Sequence, residues 1–522
     1  MREGLARHAV TVGSMTLLSR ILGFVRDMVL ARYFGAGLGM DAFFIAFKIP
    51  NFLRRLFAEG AFSLAFVPVL SEYKTQRDAV TVRALVDQVA GTLAGILLVV
   101  SLLGSLASPV LVMIFAPGFI GDAEKFDLAA QMLRITFPYI LFISLAAFAG
   151  GILNTYGRFA LPAFAPVLLN LVLIGASILV APLLERPEMA LAGAVFMGGI
   201  LQLVCLLPGL ARLRLIPRFR WGWQDSGVRR ILKLMGPAVF GSSVAQINLL
   251  FDTLIASFLA TGSVSWLYYS DRIVEFPLGV FGIALSTAIL PSLARSHARG
   301  SQESFMRTLD QGLRWVLLLG APAALGLFLL AGPILATLFQ YNQFGSHDTQ
   351  MAAVSLMAYA AGLPAFILVK VLAPAFYSRQ DTGTPVRIAV VAMAANMGLN
   401  VILVVSMLHW EIAGPHAGLA LATSASAYLN AGLLYRRLRR DQLYTPGVGW
   451  RPMAVRVLFA ALLLGLLLGA GTADLGHWAA MNGTARVMHL AAWIAAGAAV
   501  YLGVLRLLGE RLVSFGYGTA NE

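Results

Sequence analysis

Seven basic side chains lie inside stretches of this chain that are otherwise apolar enough to cross a lipid bilayer. They are Arg20, Arg26, Lys48, Arg54, Arg55, Arg272 and Lys370. A cation at the centre of a membrane costs roughly 2.5–3.5 kcal/mol on insertion scales, so such groups normally face a water-filled cavity and mark the path of an oppositely charged ligand. Arginine predominates, and its planar guanidinium suits the bidentate binding of phosphate or pyrophosphate. These residues therefore predict a binding site for an anion.

Polar residues form stripes on three predicted helices when they are placed at about 100° per residue. The stripe on the first predicted helix contains Arg20 and Asp27. The stripe on the second contains Asp41, Lys48 and Arg55, adjoined by Asn51 and Glu59. The stripe on the eighth contains Ser265, Tyr268, Arg272 and Glu275. Our hypothesis is that these faces line one central cleft.

An alternative interpretation is that each cation is neutralised by a neighbouring acid and serves only to join helices. Arg26 would then pair with Asp27, and Arg272 with Asp271 or Glu275. Pairing does not account for the whole set, because the cations outnumber the carboxylates in these spans. The sequence is compatible with both interpretations.

Composition places the chain among polytopic membrane proteins. Of its 522 residues, 59% are hydrophobic and 12% are charged, and the mean hydropathy of +0.80 is far outside the range of soluble domains. About fourteen runs supply the ~20 apolar residues that a spanning helix requires. They are residues 9–33, 41–70, 84–113, 130–153, 161–183, 189–210, 235–260, 264–293, 311–339, 350–377, 385–408, 412–435, 452–472 and 486–508. Because the runs are continuously apolar, they predict an all-α fold of about fourteen transmembrane helices and not a barrel.

Basic residues concentrate in alternate loops, which predicts the topology because positively charged short loops stay on the cytoplasmic side. Basic clusters occur at the N-terminus and after predicted helices two, six, eight, ten and twelve. The other loops contain only Arg32, Lys125, Arg186 and Arg486. Both termini are therefore predicted to be cytoplasmic. The net charge of +14 follows from this rule and from attraction to anionic membrane lipids, so it predicts no nucleic-acid partner.

Two pairs of segments repeat at nearly one offset. Residues 27–37 match 252–262 at an offset of 225, and residues 61–70 match 284–293 at an offset of 223. Six helices separate the copies, so both copies cross the membrane in the same direction, as in transporters whose two halves are related by an axis along the membrane normal. We predict two six-helix lobes followed by two further helices. The predicted divisions are residues 1–213, 214–440 and 441–522.

Four blocks of the sequence form a recognisable set. They are SRILGFVRD (19–27), DAFFIAFKIPNFLRRLFAEGAFS (41–63), GSVSWLYYSDRIVEFP (262–277) and FYSRQDTGTP (376–385). The set resembles the MurJ (MviN) family of lipid II flippases, within the multidrug/oligosaccharidyl-lipid/polysaccharide exporter superfamily. The resemblance implies a multi-pass protein of the bacterial inner membrane. It also implies transport and not catalysis: movement of the undecaprenyl-pyrophosphate-linked peptidoglycan precursor from the cytoplasmic to the periplasmic leaflet, by alternating access through a cationic cavity.

The resemblance further implies which residues bind the substrate. The positions that match the family are Arg20, Arg26, Asp41, Arg54, Ser265, Arg272 and Glu275. The stripe on the second helix instead favours Arg55 over Arg54, but Pro50 makes the helix phase uncertain, so both stay candidates. Lys48 and Lys370 complete the candidate set. Pro50 is also predicted to interrupt the second helix, where a kink could open the cleft.

The sequence leaves the energy source open. Positive charges that move across the membrane would respond to its potential, at ~2.3 kcal/mol per charge per 100 mV for a full crossing. The competing hypothesis is a sodium site, because related proteins in some branches use sodium. The candidate ligands are Asp252, Asn396, Asn400 and Thr423. Asp252 could equally be a helix-packing or protonated carboxyl.

Two other functions deserve comparison. The first is a transporter of the same superfamily that exports another polyprenyl-linked saccharide or a drug; the surplus of cavity cations disfavours cationic drugs. The second is a membrane enzyme acting on a lipid phosphate. The seven histidines show no ligand-like clustering, and the chain has neither a phosphate-binding P-loop nor a His-Glu-x-x-His motif. Lipid II and membrane lipids are the expected partners, and proteins of cell-wall synthesis or division are further candidates. No cofactor other than a sodium ion is expected.

Overall fold

The computed structural model describes residues 2–55, 62–472 and 475–510, and the side chains of 2–11, 237–245 and 471–472 lie outside the description. Glu59 falls in the gap at 56–61. The described residues form helices and connecting turns, with no strand among them. Eleven of the described helical segments are long and apolar enough to cross a membrane. The predicted all-α, polytopic fold is therefore confirmed, while the count of fourteen crossings stays a prediction.

The helices follow the apolar runs closely, since each predicted run coincides with one helix or with consecutive helices. In the first half of the chain they are α1 (Arg2–Phe34), α2 (Leu38–Leu53), α3 (Ser63–Gln76), α4 (Ala79–Leu106), α5 (Ser108–Phe115), α6 (Ala123–Thr136), α7 (Tyr139–Thr155), α8 (Ala160–Gly175), α9 (Met189–Arg212) and α10 (Ser226–Ala256). In the second half they are α11 (Ser263–Pro277), α12 (Ile283–Ala298), α13 (Gln302–Trp315), α14 (Ala321–Leu329), α15 (Ala331–Leu338), α16 (Ser346–Tyr377), α17 (Gly383–His409), α18 (Ala417–Arg440), α19 (Trp450–Thr472), α20 (Leu475–Ala480) and α21 (Gly483–Leu507).

The second predicted helix is interrupted, but not at Pro50. Pro50 is buried inside α2, and the helix continues to Leu53 before it widens into a π-helical turn at Arg54. A proline removes one backbone hydrogen bond, which a helix can tolerate when its neighbours pack around it. The predicted break therefore lies four residues further along the chain.

Three further π-helical turns occur in the described residues, at Ala176–Val180, Leu278–Gly282 and Val316–Gly320. The turn at Leu278–Gly282 directly follows α11, as the π-turn at Arg54 follows α2. Arg54 and Leu278, which open the two turns, are 224 residues apart, between the offsets of 223 and 225 found in the sequence. Single π-turns inside helices are uncommon and frequently lie at functional sites. The other two π-turns have no counterpart at this distance among the described residues, so the internal duplication stays a prediction.

The described chain divides into two compact units. The first contains the residues up to Ser265 together with Tyr341–Phe344, and the second contains the remainder. In the first unit α1 packs against α8, and α2 packs against α6. In the second unit α16 packs against α12, α15 and α18. The division into lobes at residues 213 and 440 stays a prediction.

The last helices are attached to the second unit by one carboxylate near the start of α19. Asp310 on α13 accepts hydrogen bonds at Oδ1 from the Tyr444 hydroxyl (2.6 Å), the Trp450 indole N–H (2.7 Å) and the Gly447 amide (3.1 Å). Its Oδ2 accepts from Nε of Arg314 (2.7 Å). The segment between α18 and α19 is thus fixed to α13 by a fully used carboxylate.

A buried arginine makes a second attachment, near the start of α21. Arg486 donates from Nη1 to the carbonyl oxygens of Ala336 (2.8 Å) and Gln340 (2.9 Å), just where α15 ends. It also donates from Nη2 to Ala479 O (2.8 Å) and from Nε to Met481 O (3.1 Å). Carbonyl groups at a helix C-terminus lack intrahelical donors and carry partial negative charge, so they suit a guanidinium.

Candidate functional site

Arg26 is held deep inside the first unit by partners on two helices. Its side chain on α1 is 7% exposed. Nε and Nη2 contact Oδ1 of the neighbouring Asp27 at 2.9 and 2.6 Å, and Nη1 donates to Oδ1 of Asn170 on α8 at 3.1 Å. Asn170 in turn donates from Nδ2 to the carbonyl oxygen of Ser19 (3.1 Å). The guanidinium is therefore oriented by three hydrogen bonds to two residues, and it is paired with the acid that the alternative interpretation names.

Lys48 and Arg54 extend the line of cations along the second predicted helix. Lys48 is half-buried, and its Nζ donates to Oγ1 of Thr253 on α10 at 2.7 Å. Arg54 is half-buried as well, and its Nε donates to Oδ1 of Asn51 at 2.9 Å. Three other candidates have exposed side chains. They are Arg20, Arg55 and Lys370.

Asp41 lies at the centre of a polar cluster that we call the Asp41 junction, formed by Asp41, Lys125, Gly262 and Ser265. The Asp41 carboxylate is fully buried. Its Oδ2 accepts from Nζ of Lys125 on α6 and from the Gly262 amide, both at 2.8 Å. Its Oδ1 accepts from the amide (3.0 Å) and the hydroxyl (2.7 Å) of Ser265 on α11. Four donors, one of which is a full countercharge, thus satisfy a carboxylate that would otherwise be costly to bury.

The backbone around the Asp41 junction depends on glycine. Gly262 has a φ of +101°, a conformation that residues with a Cβ rarely adopt. This conformation directs the Gly262 amide at the carboxylate and lets α11 begin at Ser263. Lys125 has a further contact, since its Nζ lies 4.4 Å from the centre of the Phe119 ring.

Arg272 and Glu275 form a pair on α11, in the second unit. Nη1 of Arg272 contacts Oε2 of Glu275 at 2.6 Å, with side-chain exposures of 32% and 50%. The guanidinium also lies 5.7 Å from the centre of the Tyr268 ring. Tyr268, Arg272 and Glu275 therefore share one accessible helix face, as the sequence stripe predicts. An exposed pair of this kind is stabilised weakly and can exchange partners readily.

The proposed sodium ligands are arranged differently from a cation cage. Asn396 on α17 donates from Nδ2 to the hydroxyls of Thr423 (3.3 Å) and Ser426 (3.2 Å) on α18, and Asn400 donates from Nδ2 to Oδ1 of Asn396 (2.9 Å). The amide nitrogen of Asn396, and not its oxygen, faces these hydroxyls, which is the pattern of a polar contact between packed helices. Asp252 belongs to the other compact unit. Within the described residues no group of three His, Cys, Asp or Glu side chains is close enough to hold a metal ion.

Several partners in these clusters were not singled out from the sequence as site residues. They are Lys125, Asn170 and Thr253. Lys125 carried a usable signal, since it is an isolated cation in a loop on the side that is otherwise poor in basic residues. Asn170 and Thr253 are single polar residues in apolar runs, and nothing local distinguishes them from residues that bond only their own helix.

Comparison with known proteins gives the family. A family model described as "Lipid II flippase MurJ" matches residues 30–488. The chain belongs to the MurJ family. A probable lipid II flippase MurJ from Haemophilus influenzae is 46% identical, over 95% of this chain and 98% of its own length. The lipid II flippase MurJ from Burkholderia cenocepacia is 44% identical, over 98% of this chain and 99% of its own length.

Solved structures agree with this assignment. A lipid II flippase MurJ in an inward closed conformation superposes with a TM-score of 0.79 at 27% identity, covering 95% of this chain and 98% of that one. An inward-facing multidrug transporter of the MATE family gives a TM-score of 0.65 at 14% identity, covering 83% and 98%; this likeness concerns the fold alone. The family resemblance read from the four sequence blocks is confirmed. MurJ membership makes this a multi-pass membrane transporter and not an enzyme, as predicted.

Proposed function

We propose that this chain flips lipid II from the cytoplasmic to the periplasmic leaflet of a bacterial inner membrane. The observation that carries the proposal is the family match over residues 30–488, together with relatives named as lipid II flippases that are aligned over nearly their whole length. The matched region includes Lys48, Arg54 and Arg272. In the predicted topology both termini are cytoplasmic.

The arrangement of cations suits the charged part of such a lipid. A diphosphate and its sugar-peptide head cannot enter hydrocarbon unaided, whereas the polyprenyl tail need not leave it. Arg26 is preoriented by Asp27 and Asn170, so a phosphate oxygen would compete with Asp27 for the guanidinium instead of ordering a free side chain. We propose that Arg20, Arg26, Lys48, Arg54 or Arg55, Arg272 and Lys370 bind the head while the tail stays in lipid.

The Asp41 junction supports alternating access. It connects α2 and α6, from the first predicted lobe, with residues 261–265, which the predicted division assigns to the second lobe. The predicted topology would put these helix ends on the periplasmic side. Its polar atoms are buried and satisfied by one another, which is the arrangement of a closed gate. We propose that the junction holds the periplasmic end shut while the head enters from the cytoplasm, and that it parts when the lobes rock.

For the energy source we favour the membrane potential. The cavity cations outnumber the acids, and charge moving with the lobes would feel the transmembrane field. Sodium coupling through Asp252, Asn396, Asn400 and Thr423 is the alternative proposal. Because the amide nitrogen of Asn396 already donates to hydroxyls of α18, we derive no transport step through a sodium ion. Proteins of cell-wall synthesis or division that handle lipid II are proposed partners.

The test is replacement of the paired arginines. Arg26→Ala and Arg272→Ala, with membrane insertion verified, are expected to abolish growth of a strain depleted of its own flippase. Arg307→Ala is the matched control, because Arg307 is a 79% exposed arginine that pairs with Glu303 on the surface of α13. Normal growth of both cavity variants would contradict the proposed site.

A vesicle assay separates the proposed substrate from the rival one. Reconstituted protein is expected to move labelled lipid II and to discriminate against a polyprenyl diphosphate that carries an unrelated saccharide. Equal transport of both lipids would favour the broader superfamily exporter. Release of phosphate from the lipid would instead indicate an enzyme.

A further inference from the structure

The connection between α9 and α10, residues 213–225, has an unusual pattern of side chains. The whole segment is described and contains no helix. Its basic and aromatic residues interleave as Arg214, Arg218, Phe219, Arg220, Trp221 and Trp223. A solvated loop between two lobes would not need three large aromatic residues. The pattern therefore indicates that this segment is a binding surface.

Backbone hydrogen bonds fix this segment along α4. The Arg218 amide donates to Oδ1 of Asp87 at 2.8 Å, and the Arg220 amide donates to the carbonyl oxygen of the same residue at 3.2 Å. The Gly222 amide donates to Oγ1 of Thr92 at 3.0 Å. Because main-chain groups make these bonds, the arginine side chains are not used to attach the segment.

Two glycines on α4 allow the close approach. A Cβ at Gly91 would collide with the backbone of Arg220, and a Cβ at Gly95 would lie 2.7 Å from the ring of Trp221. Each glycine exposes bare helix backbone on which the segment lies. The segment is therefore a fitted part of the first unit and not a tether.

The aromatic and basic side chains of the 213–225 segment are exposed on its outer surface. Phe219 and Trp221 are each 65% exposed and Trp223 is 48% exposed. The two indole rings stack, with centroids 6.2 Å apart and planes 12° from parallel. The surrounding basic side chains are exposed as well: Arg212, Arg214, Arg218, Arg220, Arg229 and Arg230.

Beyond the 213–225 segment, the same face of α4 is apolar and exposed, as is typical of a helix face that contacts hydrocarbon. Leu98, Leu102 and Leu106 of α4 are 50%, 57% and 76% exposed. With Gly91 and Gly95 they follow at steps of three or four residues, so all five lie on one face of the helix. The 213–225 segment thus covers the first part of this face, at Gly91 and Gly95, and the leucines that follow are exposed. The covered part lies toward the end of α4 that is predicted to be cytoplasmic.

We propose that the 213–225 segment is a binding surface for acidic phospholipids of the bilayer. Indole rings prefer the level of the lipid headgroups, where one edge is apolar and the other is wet. Guanidinium groups beside them can bind the phosphate of an anionic headgroup. Charge complementarity favours an acidic lipid over a neutral one, and the continuity with an exposed leucine stripe favours a bilayer over a protein partner. The inference does not depend on lipid II being the substrate.

The experiment measures contact between these indoles and the lipids. The full-length protein is placed in nanodiscs that contain phosphatidylglycerol and phosphatidylcholine, with bromine on the acyl chains of one lipid at a time. Subtracting the fluorescence of a Trp221→Phe/Trp223→Phe variant isolates the signal of the pair. Brominated phosphatidylglycerol is expected to quench this signal more strongly than brominated phosphatidylcholine at equal mole fraction.

Charge substitutions then test the cause of the preference. Arg214→Gln/Arg218→Gln/Arg220→Gln is expected to lower the preference for phosphatidylglycerol, by about fivefold for each arginine if each acts at the lipid surface. The matched control removes the same charge from exposed residues at the end of α18: Arg436→Gln/Arg439→Gln/Arg440→Gln. The control is expected to retain the preference.

Three outcomes would overturn the proposal. Equal quenching by the two lipids would remove the acidic specificity. An equal loss in both triple variants would reduce the effect to net charge. Absence of quenching by either lipid would place the indoles away from the bilayer, as expected for a surface that binds a protein.

Discussion

The Asp41 junction has a counterpart in the second unit, at nearly the same distance along the repeat. There the indole N–H of Trp266 on α11 donates to Oδ1 of Asp348 on α16 at 2.9 Å, and we call this pair the Trp266 junction. Trp266 follows Asp41 by 225 residues and Asp348 follows Lys125 by 223, the two offsets at which the sequence repeats. In both places the start of one helix is joined to the start of a helix several elements later.

The chemistry of the two junctions is inverted. In the first, the carboxylate is on the earlier helix and a cation on the later one; in the second, the earlier helix supplies a neutral donor and the later one the carboxylate. Asp348 is partly exposed and also accepts from the Gly345 amide (3.1 Å), whereas Asp41 is completely buried. The two polar links lie at matching positions of the predicted repeat but differ in where their charges are placed. We therefore expect the Asp41 junction to be the more fragile of the two.

The largest effect is expected from Asp41→Ala. This substitution leaves the ammonium of Lys125 buried without its countercharge, and breaking a buried pair from one side typically costs about 3–5 kcal/mol. The thermal unfolding midpoint of the detergent-purified protein should fall sharply, and the yield should fall with it. The control is Glu303→Ala, which removes the acid of a surface pair. An unchanged midpoint for Asp41→Ala would show that the junction is not closed in solution.

A smaller loss is expected from Lys125→Met. Asp41 would keep three hydrogen bonds, from Gly262 and Ser265, so the cost should be about 1–3 kcal/mol. The double variant Asp41→Asn/Lys125→Met tests whether the two side chains interact. Its loss of unfolding free energy should be clearly less than the sum of the losses in the two single variants. Strict additivity of the unfolding free energies would mean that the two side chains do not interact.

Trp266→Phe should have a milder effect on the second junction. It removes one hydrogen bond to a carboxylate that has another donor and access to solvent, and we expect a cost of about 1–2 kcal/mol. Trp410→Phe, at a tryptophan that is 75% exposed, serves as the control in the same unfolding measurement. A loss as large as that of Asp41→Ala would remove the contrast between the junctions.

The smallest effect at neutral pH concerns His416, which packs against Trp266 with ring centroids 5.0 Å apart. It lies just before α18, and burial, reinforced by the charge of His347 and opposed by the hydrogen bond to Met351, lowers the pKa of His416 to about 4. The unfolded chain binds the proton more readily, so this contribution to stability is complete above about pH 6.5 and is lost as the pH falls toward 4.

The expected loss is about 1 kcal/mol at pH 5.5. His416→Gln should flatten the dependence of the unfolding midpoint on pH between 6.5 and 4.5. An unaltered slope in this variant would assign the pH dependence to another group.

The features that follow from local pattern were predictable. Apolar runs gave the helices because a spanning segment must satisfy its own backbone, and the stripe on α11 placed Tyr268, Arg272 and Glu275 on one face because three- and four-residue steps do so in any helix. The break near Pro50 was misplaced because a proline weakens a helix without fixing where the turn widens.

The choice of partners was beyond local reasoning. Asp41 was assigned to a substrate stripe by its spacing from Lys48, yet its bonds go to residues 84 to 224 positions away. The helical period says which direction a side chain faces but not what comes to meet it. Arg26 and Arg272 were exceptions, since their acids are one and three residues away along the chain.

The attachments made by Asp310 and Arg486 have a practical consequence for measuring motion. They fix helices α19–α21 to the rest of the second unit, near the start of α19 and again near the start of α21. We therefore expect these helices to move together with the second unit and not to hinge against it. A spin label or fluorophore on the exposed side of α21, for example at Met488, would then report the position of the whole second unit. The distance between this label and a second label on α4 would follow each conformational change of the transporter. Neither label would replace a proposed substrate-binding residue.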